Sequence, residues 1–255
     1  SGKNATVLHY SDNNSKTEDG DLILFDVGAQ YEYYNGDISR TFPVNGKFTD
    51  RQKTIYNIVL EGQQIVIDRA KAGIEFKSLN CILKDYYVKA LSKIGLISNA
   101  EEVSKYYYHG VSHLLGLETH DVGRHNEGLL KSGMVMTVEP GLYIAEEGIG
   151  IRIEDNILIE DNGCRVLSKD IIKTVEDIED FMKAEKELFL PTRLYFEKQG
   201  FSVDGEVKNC DLVAIKNDIV VVAELKKTFN ISLVYQLMER KNITPYVYAV
   251  IFRPK

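Results

Sequence analysis

Five side chains able to ligate metal stand along this 255-residue chain in the order Asp26, Asp37, His113, Glu139 and Glu154. They lie in the short segments "LILFDVGA", "NGDISRTF", "HGVSHLLGLETHDVG", "MVMTVEPG" and "GIRIEDN". Four carboxylates and one imidazole gathered at one site carry more negative charge than a protein interior tolerates without cations. By ligand softness the set suits Mn²⁺ or Co²⁺, with Zn²⁺ an alternative. A pair of such ions can activate water and polarise a carbonyl, which is the chemistry of a two-metal hydrolase.

Each residue also has a plainer reading. A lone Asp after a strand is usually a turn residue, and Glu154 could form a surface pair with Arg152 on "IRIED". Asp26 and Asp37, however, lie eleven positions apart across an expected hairpin. Three of the five histidines, His109, His113 and His120, fall within twelve residues, and glycines in and just after that stretch (Gly110, Gly116, Gly123) disfavour a packed helix. Glu139 ends an apolar run before Pro140-Gly141. A buried, unpaired Glu there would cost roughly several kcal/mol or hold a proton, so it calls for a cation.

The elements that must position these residues are legible in outline. Residues 22–27 read as a strand, with 31–34 as its hairpin partner. A helical pattern runs from Asp50 to Gly73, and a second helix follows a Ser78 cap, with Leu79, Ile82, Leu83, Tyr86, Ala90 and Leu91 on one side, as far as Gly95. Residues 134–138, 141–144 and 151–159 read as strands that carry Glu139 and Glu154 at or near a sheet. Near Phe181-Met182 the character changes. A fresh amphipathic helix with Leu190 and Leu194 one turn apart closes on Gly200. Strands at 201–207, 211–216 and 219–225, a helix at 230–242 and a strand at 246–252 follow. This αβββαβ order marks a second unit.

Together "LHYSDNN", "LFDVGAQYEYYNGDISRTFPVNGKFT", "HGVSHLLGLETHDVG" and "GMVMTVEPGLYI…GIRIEDNILI" resemble the catalytic domain of Xaa-Pro aminopeptidases and prolidases, the pita-bread metallopeptidases, over residues 1–180. The resemblance implies an α+β pita-bread domain at 1–182. It would be incomplete at its N-terminus, because family domains begin several dozen residues before "LHY"; the absence of an initial Met likewise leads us to expect missing upstream residues. It also implies that Asp26, Asp37, His113, Glu139 and Glu154 hold two divalent ions, Mn²⁺ foremost, with Asp37 and Glu154 bridging and Glu139 serving as general base. His109 and His120 would contact substrate and support the intermediate, His9 would line the substrate pocket, and Arg152 would stand beside the metals. The wording "HGVSH" leans toward aminopeptidase P rather than prolidase.

Residues 183–255 resemble part of a PD-(D/E)xK nuclease-like family, a small α/β restriction-endonuclease-like unit. That resemblance implies a catalytic set of Glu187, Asp211, Glu224 and Lys226 with Mg²⁺. Glu224 and Lys226 share a strand face, which could hold a divalent ion and position water against a phosphodiester. Gln236 and Arg240 follow on the next helix. Two families meeting at Phe181-Met182 read as a fusion.

A net charge of −7 and a pI near 5.4 argue against general affinity for nucleic acid or anionic membrane. No run of 18 apolar residues exists, and no signal peptide is visible. Cys81, Cys164 and Cys210, odd in number and outside any CxxC, read as buried thiols in a reducing cytoplasm. The expectation is a cytoplasmic dimetal aminopeptidase acting on peptides with proline second, with a homo-oligomer as a further expectation. The alternatives are a nuclease or phosphodiesterase working through the second unit, and a fragment without turnover.

Overall fold

The computed structural model describes residues 1–10, 12, 14–122, 128–207, 210–226 and 231–251. Gly123 and the extreme residues of two expected elements, Asn230 and Phe252, lie outside them. The chain divides into two compact units, Ser1–Ile178 and Glu179–Lys255.

In the first unit β1 (Leu22–Val27) runs antiparallel to β4 (Ile38–Pro43), with Asp26 opposite Ser39. The expected partner of β1, residues 31–34, instead closes on itself. Strands β2 (Gln30–Tyr31) and β3 (Tyr34–Asn35) pair around a turn in which Glu32 and Tyr33 have positive φ. Positive φ at both central residues is the primed-turn geometry that joins two strands through two residues, so the excursion ends before it can lie along β1.

Helix α1 (Asp50–Arg69) starts from a capping box formed by Thr49 and Gln52. It packs against α2 (Phe76–Lys93) through a core that includes Ile55, Val59, Leu79, Leu83 and Tyr87. The cap of α2 is Glu75; Ser78 lies within the first turn, where its hydroxyl bonds back to the Glu75 carbonyl. After the short α3 (Val103–Tyr106) come β5 (Val135–Val138), β6 (Gly141–Ile144), β7 (Ile149–Arg152), β8 (Asp155–Glu160) and β9 (Gly163–Val166). The expected single strand 151–159 is therefore interrupted at residues 153 and 154. Strands β5, β8 and β9 form one antiparallel sheet, and β6–β7 form another.

Helix α4 (Val175–Lys198) begins earlier than expected and continues through Phe181-Met182. In the second unit its buried face consists of Leu188, Thr192 and Phe196, whereas Leu190 and Leu194 are exposed. The four-residue spacing holds, but the stripe that packs is Leu188, Thr192 and Phe196, one face round from Leu190 and Leu194. Strands β10 (Ser202–Val207), β11 (Cys210–Lys216) and β12 (Ile219–Lys226) form an antiparallel meander, and β13 (Tyr246–Ile251) adds parallel to β12 after α5 (Ile231–Arg240). Its core joins Leu188 and Phe196 to Val203, Leu212, Ala214, Val221, Ala223 and Leu225. Among the described residues no helix is long and apolar enough to cross a membrane.

Candidate metal centre

The β2–β3 excursion carries the chain from Asp26 to Asp37, and its base is tightly pinched. Gly36 N–H donates to the Ala29 carbonyl at 2.8 Å, and a Cβ on Gly28 would stand 1.9 Å from the Gly36 carbonyl oxygen. Only glycine permits that approach. Asn156 then clasps Asp37 by its backbone, accepting from its N–H at 3.2 Å and donating to its carbonyl at 2.5 Å. The His113 segment lies alongside β5: Thr137 N–H donates to the His113 carbonyl at 3.0 Å and Glu139 N–H to the Val111 carbonyl at 2.8 Å. Glu154, in the gap between β7 and β8, donates its N–H to the Ser39 carbonyl at 3.0 Å.

These backbone contacts converge four of the five expected ligands. His113 Nε2 lies 3.4 Å from Asp37 Oδ2, 3.5 Å from Glu139 Oε1 and 4.0 Å from Glu154 Oε1. Asp37, His113 and Glu154 each present a ligand atom within 4.8 Å of the others. His113 Nδ1 faces the Leu114 carbonyl at 3.1 Å, which fixes the tautomer and leaves Nε2 to face the carboxylates. Asp26 stands slightly apart: its Oδ2 takes Arg152 Nη2 at 2.6 Å, and its Oδ1 is 3.4 Å from the Ser39 hydroxyl. That hydroxyl in turn donates to Glu154 Oε2 at 2.7 Å.

A cation fits this group. Glu154 is buried, and its Oε1 has no hydrogen-bond partner among the described residues. Burial, followed by repulsion from Glu139 and Asp37, pushes its carboxyl up to about 8. Burial also lifts Glu139, to about 7, against the pull of His113 and Arg152. Burial opposes the charged imidazole of His113, but the hydrogen bond to Asp37 and the neighbouring glutamates raise it to about 9. Carboxylates that hold protons near neutrality and an oxygen without a donor are what a divalent ion would relieve.

The cavity beside these groups, about 330 Å³, is lined by His9, His109, His120 and Arg152 as well as by the acids. His120 stacks edge-on to His113 with centroids 4.4 Å apart. His109 is largely withdrawn from water and its imidazole is lowered to about 4 by burial, so it is neutral at pH 7. Its Nδ1 meets the Gly110 carbonyl at 2.8 Å and its Nε2 the Tyr143 hydroxyl at 2.9 Å. Arg152 Nη1 also reaches that hydroxyl at 2.9 Å, and its Nε donates to Ser39 at 2.8 Å. Ser39 and Tyr143 were not read from the sequence. The available signal was period-two spacing: Ser39 follows Asp37 by two, and Tyr143 follows Gly141 by two, where a Cβ would stand 2.6 Å from the Tyr143 hydroxyl oxygen.

In the second unit β11 sets Asp211 next to Leu212, whose partner is Ala223, so Asp211 lies beside the end of β12. Its Oδ2 accepts from Leu225 N–H at 2.7 Å and meets Lys226 Nζ at 3.6 Å. Glu224 is fully buried; Oε1 takes Arg240 Nε at 2.6 Å and Oε2 has no hydrogen-bond partner among the described residues. Glu187 is exposed and meets Lys183 at 3.7 Å on its own helix, not this group.

Known proteins share this first unit. The chain is 41% identical over 204 positions to Xaa-Pro aminopeptidase of Escherichia coli, covering 73% of this chain and 46% of that protein. It is 32% identical over 234 positions to Xaa-Pro dipeptidase of Rattus norvegicus, covering 71% and 47%. A solved structure of a Bacillus anthracis protein provisionally assigned as aminopeptidase P is 57% identical, with a TM-score of 0.70, covering 71% of this chain and 43% of that one. The chain thus spans about half the length of the curated relatives it matches. The profile of Metallopeptidase family M24 matches residues 1–161, and this chain belongs to that family.

Proposed function

We propose that the first unit is the dimetal centre of an Xaa-Pro aminopeptidase, releasing an N-terminal residue that precedes proline. The observation that carries this reading is the Asp37–His113–Glu154 group, with Glu139 at 3.5 Å from the same imidazole nitrogen. These residues and Asp26 would hold two divalent cations, Mn²⁺ foremost. When bound, such ions lower the pKa of a water and polarise the scissile carbonyl. Glu139, whose Oε1 stands 3.5 Å from His113 Nε2, would accept the proton of the attacking water and deliver it to the departing prolyl nitrogen. His120 is exposed at the cavity and free to meet the substrate carbonyl oxygen. Neutral His109, hydrogen-bonded to the Tyr143 hydroxyl that Arg152 also contacts, lines the same cavity, and His9 would border the substrate there. Of the three thiols expected to be buried, only Cys210 is; Cys164 is half-buried and Cys81 is exposed.

The test is metal stoichiometry with turnover of an Xaa-Pro-Xaa tripeptide. Two Mn²⁺ bound, with activity lost in His113→Ala, is the expected result. Turnover unchanged by that substitution would refute the ligand set.

A second reading concerns residues 183–255 as a partial PD-(D/E)xK nuclease-like unit using Mg²⁺. It is supported by buried Glu224, with one oxygen lacking a hydrogen-bond partner, beside Asp211 and Lys226. The Arg240–Glu224 pair at 2.6 Å already supplies positive charge there, which weakens the demand for a cation. The exposed position of Glu187 gives it no part in this group.

A further inference from the structure

Glu139 and Glu154 occupy a shared break in the sheets. Strands β5 and β8 pair as far as Val138 opposite Asp155, and β6 pairs with β7 as far as Gly141 opposite Arg152. Between these ladders both chains run free for two residues, and those residues carry the two carboxylates. One backbone bond crosses the gap, from Ile153 N–H to the Pro140 carbonyl at 3.3 Å. The carbonyls of Val138 and Ile153, each immediately before a glutamate, turn instead toward α1. There Gln63, fully buried, donates from Nε2 to both at 3.1 Å.

The carboxamide is held from behind. Its Oε1 accepts from Lys173 Nζ at 2.8 Å, and the same ammonium meets Asp155 Oδ2 at 2.7 Å. Asp155 Oδ1 takes Arg40 Nη2 at 2.7 Å, and Arg40 Nη1 returns to the Glu154 carbonyl at 2.5 Å. All three hydrogen-bonding groups of Gln63 (two N–H and one C=O) are used, on a helix anchored by its own core face.

We propose that Gln63 is a positioning residue for the metal centre: one side-chain amide pins the carbonyls preceding Glu139 and Glu154 and thereby sets the separation of their carboxylates. The inference rests on the dimetal reading above. Two N–H donors on one atom with an acceptor beside them are what a carboxamide alone provides. Asn, one methylene shorter, would not span both carbonyls from the same helix position. An apolar side chain would leave two buried carbonyls without donors, and they would rotate to find others. The peptide planes carry the Cα–Cβ directions of 139 and 154 with them.

The experiment compares the full-length wild type with Gln63→Leu by calorimetric titration with Mn²⁺, by the electron paramagnetic resonance of the bound ions, and by steady-state hydrolysis of an Xaa-Pro tripeptide. Loss of a group behind metal ligands weakens binding by about 10- to 100-fold. The expected result is a Kd for Mn²⁺ raised by at least about tenfold, an exchange-coupled signal replaced by that of isolated ions, and a kcat lowered more than KM is raised. A folded Gln63→Leu that binds Mn²⁺ within about twofold of wild type, with the coupled signal intact, overturns the proposal alone. A wild type that binds no Mn²⁺ overturns the dimetal reading and this inference together. If Gln63→Leu does not fold, Gln63→Glu, which keeps the size and the Lys173 contact but lacks the amide donors, is judged by the same criteria.

Discussion

Glu154 shows how the centre trades stability for charge. Its carboxyl is buried, accepts from Ser39 on one oxygen and has no donor on the other. A shift from 4.5 to about 8 corresponds to roughly 3 kcal/mol of unfavourable ionisation at pH 7 without a cation. Glu154→Gln should therefore raise metal-free stability by roughly 2–3 kcal/mol in denaturant titration while abolishing tight Mn²⁺ binding. Equal or lower stability would show that the charge is already neutralised by protein groups. The same balance gives a pH dependence. Glu139, Glu154 and His113 bind protons more tightly folded than unfolded, with values of about 7, 8 and 9 against 4.5, 4.5 and 6.5. Their contribution is complete below the unfolded values and is lost as pH rises through the folded ones. His109, lowered from 6.5 to about 4, has the opposite sign and changes only below pH 6.5. Between pH 6.5 and 8 the first three act alone, so the melting temperature of chelator-treated protein should fall across that window. Saturating Mn²⁺ should flatten the slope.

Among the elements, the β2–β3 hairpin and the broken strand at 153–154 decide the geometry. The hairpin must fold back within a few residues for Asp26 and Asp37 to face one place, and Gly28 is where its base closes on Gly36. Gly28→Ala should force the base apart, lowering stability by about 1–3 kcal/mol and weakening Mn²⁺ binding. Thermal melts with and without Mn²⁺ would read both effects; unchanged binding would show that the hairpin base does not set the position of Asp37. The break between β7 and β8 frees Glu154 from strand pairing and lets its backbone join Ser39 on β4. A continuous strand would have kept it in the ladder with β5 and β6.

The whole molecule joins an M24 unit, Ser1–Ile178, of which the family profile covers residues 1–161, to an αβββαβ unit with its own core. Their chemistries separate by substitution. Glu224→Ala removes the buried acid of the second unit and should leave Xaa-Pro hydrolysis within about twofold of wild type, because the acid belongs to a separate compact unit with its own core and independent sites act additively. It should abolish any Mg²⁺-dependent cleavage of linear DNA. A large loss of peptidase activity would show that the second unit takes part in the first unit's reaction.

The five candidate ligands could be picked out because several stand in a distinctive local setting: a strand end before glycine, a histidine among glycines, a glutamate before Pro140-Gly141. Local periodicity likewise disclosed α1, α2 and the order of the second unit. It failed where a longer-range contact chose between equal local options. The stripe of Leu190 and Leu194 has the right spacing, yet packing selected Leu188 and Phe196. Residues 151–159 alternate like one strand, yet pairing with two different partners broke them at Glu154. The sequence by itself determined which atoms could bind a cation, since that is a property of side-chain chemistry. Only the tertiary structure decided that Gln63, Ser39 and Tyr143 serve them and that Asp26 leans on Arg152. Hydrogen bonds between residues some 9 to 126 positions apart leave no periodic trace along the chain.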